Sequence, residues 1–161
     1  MKKYRGIIVL VNLGLLLAFF GYSVVKKEIL ANEGTLLLLP LAPVDPRSLM
    51  QGDYMNLRYA ISEDISYSEM AKRGFCVVKI DSGNIARRVR FQEEKTPLHA
   101  GEYLINYTLG TWGINIGAES YFFQEGQAEK YANAKFGGLR VDDQGNSLLI
   151  GLYDQNRTKI E

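Results

Sequence analysis

Arg47, Asp53, Tyr54, Arg58 and Tyr59 gather two guanidinium groups, a carboxylate and two phenols within 13 residues. Two arginines on one short segment make a fork that suits a carboxylate or an anionic headgroup. The same charges also have a purely structural use. A buried, unpaired charge is costly, and an ion pair of Asp45 or Asp53 with Arg47 or Arg58 removes that cost. A second cluster, Glu119 and Glu125, flanks the aromatic run Tyr121-Phe122-Phe123. Two carboxylates held across a cleft do general acid–base work in glycoside hydrolysis; the plainer assignment is a strand end and a residue at a helix start. Arg87, Arg88 and Arg90 form the densest basic stretch, suited to an acidic surface or to an ordinary solvated strand face.

Other chemistries have thinner support. Cys76 is the single cysteine and His99 the single histidine, so neither a disulfide nor a Cys/His metal cage forms within the chain, and no cofactor or metal is expected. Cys76 sits in Phe-Cys-Val-Val, the setting of a small buried apolar side chain. Ser48 ahead of Gly52-Asp53, with Lys79 further on, is similar in outline to signal-peptidase-like Ser-Lys hydrolases. The Ser-Met-x-Pro context is absent, and Lys79 precedes Ile80-Asp81 rather than an arginine. Such a serine is activated only by a desolvated lysine beside it.

The elements that must carry these residues begin with Gly6–Val25, 20 residues without a charge, between Lys2, Lys3 and Arg5 on one side and Lys26 and Lys27 on the other. At about 1.5 Å per residue this run crosses a hydrocarbon core of about 30 Å. A cleaved leader has a shorter apolar region ending in small residues; here Gly21-Tyr22-Ser23 lies inside the run. The expectation is a single-pass anchor over 6–25 in contact with the lipid bilayer, with a cytoplasmic tail at 1–5 and the domain outside, from three cationic residues before the span against two after it. Gly14, Ala18 and Gly21 fall within about 60° on a helical wheel, with Asn12 opposite, so the helix carries small-residue and polar contact candidates for another helix.

Beyond the anchor the charge balance reverses. Five of the 19 basic side chains lie before residue 28, leaving 14 against all 18 acids. A net-negative domain is a poor binder of phosphate backbones, so nucleic acid is excluded as a partner. Residues 26–33 suit a helical stalk, 34–156 a single domain, and 157–161 a tail. Thr35–Ala42 is an apolar run that bends at Pro40, and Met55, Leu57, Tyr59 and Ile61 alternate with Asn56, Arg58 and Ala60 as in a half-buried strand. Hairpins are expected at 75–80 with 85–91, at 102–109 with 114–123, and at 139–141 with 147–152, and a short helix at 127–134. The fold class is thus one N-terminal transmembrane helix plus a mostly-β, β-rich α+β extracytoplasmic domain with one short helix.

Asp45, Pro46 and Gly52 read as cap, first position and close of a short helical turn. Gly52-Asp53-Tyr54, followed by Leu57 and Tyr59, resembles the motif of the GDYXXLXY family of uncharacterised bacterial membrane-anchored proteins. Pro43–Ser48, Gly117–Phe122 and Glu125-Gly126 are similar to that family's pattern as well. The resemblance implies an N-terminal anchor, an extracytoplasmic domain and genomic company with polytopic membrane proteins; it implies no catalytic residue. Three functions stand side by side: an accessory domain acting with a polytopic membrane partner, a module binding a small ligand or envelope polymer, and a Ser-Lys hydrolase.

Overall fold

The computed structural model describes residues 4–42, 50–51, 54–66, 70–81, 83–110 and 113–161. Arg47, Asp53 and Ser48, together with Asp45, Pro46 and Gly52, lie outside the described residues.

Helix α1, Arg5–Glu33, takes in the expected anchor and stalk without a break. Its 29 residues make a rod of about 43 Å. Its apolar side chains from Ile7 to Val25 are exposed, and the helix is long and apolar enough to cross a membrane. The rod ends at Gly34, whose N–H donates to the Leu30 carbonyl at 3.0 Å, and strand β1, Thr35–Pro40, starts at the next residue.

Among the described residues, three antiparallel sheets build the domain. In the first, β1 pairs with β9, Phe136–Val141, which pairs with β10, Ser147–Tyr153. The second joins β2, Met50–Gln51, to β3, Tyr54–Asn56, and β3 to β8, Ser120–Phe122. The third runs β5-β4-β6-β7, with β4 Arg73–Ile80, β5 Ala86–Gln92, β6 Glu102–Gly110 and β7 Gly113–Asn115. Leu37, Leu39, Met55, Tyr59, Cys76, Val78, Ile105, Leu139 and Leu152 are sealed in one core between them. The mostly-β domain with one long apolar helix and a short second helix is the fold expected.

Several boundaries move, each for a local reason. The expected strand 114–123 breaks in two: Gly117 takes φ +77°, and the Glu119 carboxylate accepts the Ile116 N–H, so the chain leaves the third sheet and enters the second as β8. The alternation of 55–61 is real in burial, Met55, Leu57, Tyr59 and Ile61 inside and Asn56 and Arg58 outside. The ladder nevertheless stops at Asn56, and Ala60–Ser62 closes into a 3-10 turn. Helix α2 shrinks to one turn, Ala128–Tyr131, after Gly126 at φ +81°. Residues 157–161 are no loose tail: the Ile160 N–H donates to the Leu152 carbonyl at 2.9 Å, and Lys159 bridges Tyr153.

The three arginines of β5 do not share one solvated patch. In an unbroken strand Arg88 and Arg90 would share a face; Val77 pairs with Arg90 and Val78 with Arg88, so Val89 is an extra residue, a bulge that sends the two arginines to opposite faces. Arg88 lands on the side of Cys76 and Phe91, where it donates to the Ile61 and Glu63 carbonyls at 2.6 and 2.8 Å and lies 5.3 Å from the Phe91 ring centre. It staples the 3-10 turn after the motif to the third sheet. Arg90 forms a two-pronged pair with Glu102, at 2.7 and 2.8 Å, and also donates to the Pro97 carbonyl. Only Arg87 stays outward, at 4.0 Å from the exposed Asp81.

The Arg90 guanidinium and the His99 N–H hold the Glu102 carboxyl down at about 2. A carboxyl depressed on folding stabilises the protein above its unfolded value of about 4.3, and that stabilisation disappears as pH falls toward about 2. Thermal melting of the full chain in detergent should therefore show wild type above Glu102→Gln at neutral pH, with the gap closing on the way to about pH 3. A gap that is constant with pH would mean the pair contributes no charge-dependent stability.

Candidate functional site

The motif strand forms one wall of an open groove in the domain. Leu57 and Tyr59 turn inward. The Leu57 N–H donates to the Glu119 carbonyl at 2.7 Å, and the Tyr59 hydroxyl donates to the Ala118 carbonyl at 2.6 Å. Tyr59 is 2% exposed, and its ring lies over Gly137, where an added Cβ would come within 2.7 Å of Cε1. Burial, with Glu119 nearby as a lesser cause, drives its phenol far above its ordinary value, so it stays a neutral donor. Tyr59 is thus a core residue that also borders the groove beside Arg58.

Arg58 faces the other way, as the strand period requires, and its carbonyl accepts the Ala42 N–H at 2.8 Å. Its side chain borders a groove of about 870 Å³ together with Asn56, Glu63, Asp64, Asn115 and Glu119. Asp64 enters it with φ +52°, a left-handed conformation that Asp tolerates. A guanidinium facing carboxylates and amides suits a polar, hydrogen-bonding occupant better than an apolar one. Glu63, Asp64 and Asn115 had no signal in the sequence beyond their type. They line one groove with Arg58 because the 3-10 turn and the end of β7 converge there, a long-range event.

Tyr54, the remaining described member of the motif cluster, is half-buried beside Phe122, with ring centres 5.7 Å apart. Phe122 is 72% exposed and sits on β8, the edge strand of its sheet. The structure therefore brings Tyr54 and Phe122 together, places Arg58 in the groove, and buries Tyr59 in the core beneath the same groove.

The described members of the enzyme-type pairs have structural settings of their own. Glu119 spends a carboxylate oxygen on the Ile116 N–H, and Glu125 lies exposed before the single turn of α2, too short to present much of a dipole. Lys79 is exposed on β4, away from the low-dielectric setting a lysine base needs. Burial, opposed by a weaker pull from Arg88, pushes the Cys76 thiol up to about 12, which leaves it protonated and inert. Among the described residues no three His, Cys, Asp or Glu side chains are placed to hold a metal ion.

Of α1, Gly14 and Gly21 have open space where a Cβ would project, and Asn12 and Ala18 are exposed on the same rod.

Comparison with known proteins gives one match. The family model described as GDYXXLXY protein matches residues 16–152, from the middle of the apolar helix to the end of the last hairpin. No curated protein and no solved structure matches the chain.

Proposed function

The chain belongs to the GDYXXLXY family, and from that premise we propose that it is a membrane-anchored accessory domain without catalytic activity of its own, working with a polytopic membrane protein. The observation that carries the reading is the motif edge. There β3 carries Tyr54, packed on the exposed Phe122, and Asn56, which borders the Arg58 groove, so aromatic and arginine side chains, both enriched where proteins meet, lie on one short segment. The small-residue face of α1 at Gly14, Ala18 and Gly21, with Asn12 opposite, offers a second contact inside the bilayer. In this reading α1 crosses the cytoplasmic membrane once, with its N-terminus inside and the domain in the periplasm or outside the cell, as the three cationic residues ahead of the span favour.

The test is purification of the full chain from native membranes in mild detergent, with bound proteins identified by mass spectrometry. A polytopic protein in stoichiometric amount is expected, and Gly14→Leu with Ala18→Leu should reduce its yield several-fold. Recovery of the chain alone, or a yield indifferent to the two substitutions and to Phe122→Ala, defeats the proposal.

The groove favours one other reading, a module that binds a small polar ligand or an envelope polymer. Under it, a bound ligand raises the melting midpoint of the full chain, and Arg58→Ala removes the shift. The Ser-Lys hydrolase has no comparable support, since Lys79 is solvated.

A further inference from the structure

A second opening lies between the anchor and the domain. Its volume is about 460 Å³. One wall is α1, through Phe19, Tyr22, Ser23, Lys26, Lys27 and Leu30; the other comes from the domain, chiefly Asn106, Asp142, Asn146 and Ser147. Phe19 and Tyr22 belong to the uncharged run that ends at Val25, whereas Lys26 and Lys27 follow it directly. The cleft therefore straddles the level at which hydrocarbon gives way to headgroups, in the leaflet on the domain's side. An aromatic pair below lysines is the usual furnishing of that level.

The two walls carry opposite charge. Lys26 and Lys27 project from the helix, and Asp142 from the turn between β9 and β10. The Asp142 carboxylate is already fixed in place: it accepts the Gln144 and Asn146 N–H groups at 2.9 and 2.8 Å and the Asn146 side-chain amide at 2.7 Å. Partial burial pushes its carboxyl up, but these hydrogen bonds and the nearby Lys26 together bring it below its ordinary value, so it is an anion at neutral pH. Two ammonium groups on one side and a preorganised carboxylate on the other match a molecule with a phosphate and a primary ammonium a few atoms apart. Amides and a hydroxyl at Asn106, Asn146 and Ser147 line the space between.

We propose that this cleft holds the headgroup of one aminophospholipid, with the phosphate on Lys26 and Lys27, the ammonium on Asp142, and the acyl chains lying down α1 past Tyr22 and Phe19. The inference rests on α1 spanning the bilayer. That premise is checked separately, because a chain released from membranes by alkaline carbonate would refute the anchor whatever its lipid binding.

The experiment titrates the full-length protein, delipidated in detergent, with short-chain phosphatidylethanolamine and with phosphatidylglycerol of the same chain length, and reads the melting midpoint and one-to-one adducts by native mass spectrometry. The ethanolamine lipid should bind about tenfold more tightly than the glycerol lipid, the discrimination one charge-assisted contact provides. Lys26→Gln with Lys27→Gln should weaken both lipids by about that factor or more. Asp142→Asn keeps an oxygen for the turn and should bring the two lipids to near equality. Equal binding of both lipids by the wild type, or binding untouched by the lysine substitutions, overturns the proposal. If Asp142→Asn melts early, the lysine variant and the wild-type lipid preference still decide.

Discussion

Tyr59→Ala should destabilise the domain by about 3–5 kcal/mol, the cost of emptying an aromatic site in a close-packed core. Tyr59 is among the largest fully buried side chains, and it ties together parts of the chain far apart in sequence. Its backbone bridges Leu41, its ring covers Gly137, and its hydroxyl reaches Ala118. Tyr59→Phe keeps the ring and loses only the hydrogen bond, leaving a buried carbonyl without its donor, and should cost about 1–2 kcal/mol. Since whole domains are stable by about 5–15 kcal/mol, the alanine variant approaches the folding limit and the phenylalanine variant does not. Urea unfolding of the full chain in detergent measures both. If the two variants are equally destabilised, the ring is not packed as described and the hydroxyl is the dominant contact.

Gly138→Ala is the second large effect, from the opposite error of too much volume. A Cβ at 138 would stand 2.2 Å from Tyr153 Cε2 and 2.9 Å from Cδ2, and the Tyr153 ring is itself buried. Overpacking of this kind costs typically about 1–3 kcal/mol, and a clash with two ring carbons belongs at the upper end. Gly110→Ala is the matched control. Among the described residues its nearest neighbour would be 3.6 Å away, an ordinary contact, and the change should stay within about 0.5 kcal/mol. Combining Gly138→Ala with Tyr153→Leu should recover part of the loss, because the two sites share one space. Additive destabilisation in that pair would mean the clash is relieved elsewhere.

Both effects arise at positions whose type the sequence displays and whose reason it conceals. The apolar alternation from Met55 to Ile61, the hairpins β4–β5 and β9–β10 and the tip of β6–β7 follow from period and turn residues, and the structure contains them. Asp81 accepting the Gly83 and Ile85 N–H groups, and Asp142 doing the same for Gln144 and Asn146, are the turn chemistry that made those hairpins readable. The bulge at Val89 was not readable, because nothing in Arg-Arg-Val-Arg marks which residue lacks a partner. Its consequence was large, since it carried Arg88 to the core side. Nor did Ile114–Phe123 disclose its change of sheet, for Gly117 there has the same local meaning as a glycine within a strand. The two glycines of β9 were equally silent: they are explained by Tyr59 and Tyr153, one far upstream and one on the neighbouring strand. Of the motif cluster, the inward turn of Tyr59 and the outward turn of Arg58 followed from strand period. The groove around Arg58 did not, because its acids come from two connections that no local pattern relates.

The passage from α1 into β1 bears on any partner. No flexible residue separates rod from sheet: Gly34 is the sole intervening position, the Arg140 guanidinium donates to its carbonyl at 2.6 Å, and a Cβ there would press to 2.5 Å against the Leu30 carbonyl. Helix and domain therefore turn as one lever, with no swivel between them. A protein that grips the rod inside the bilayer already has the domain at a fixed azimuth and height. Under the proposed accessory role, its second contact, with the motif edge, would then form without the search that a tether would impose. Joined in this way, two weak contacts behave as a chelate, whose joint strength exceeds either alone when their spacing matches and vanishes when it does not. Residues inserted after Glu33 would separate the two grips while leaving each surface intact.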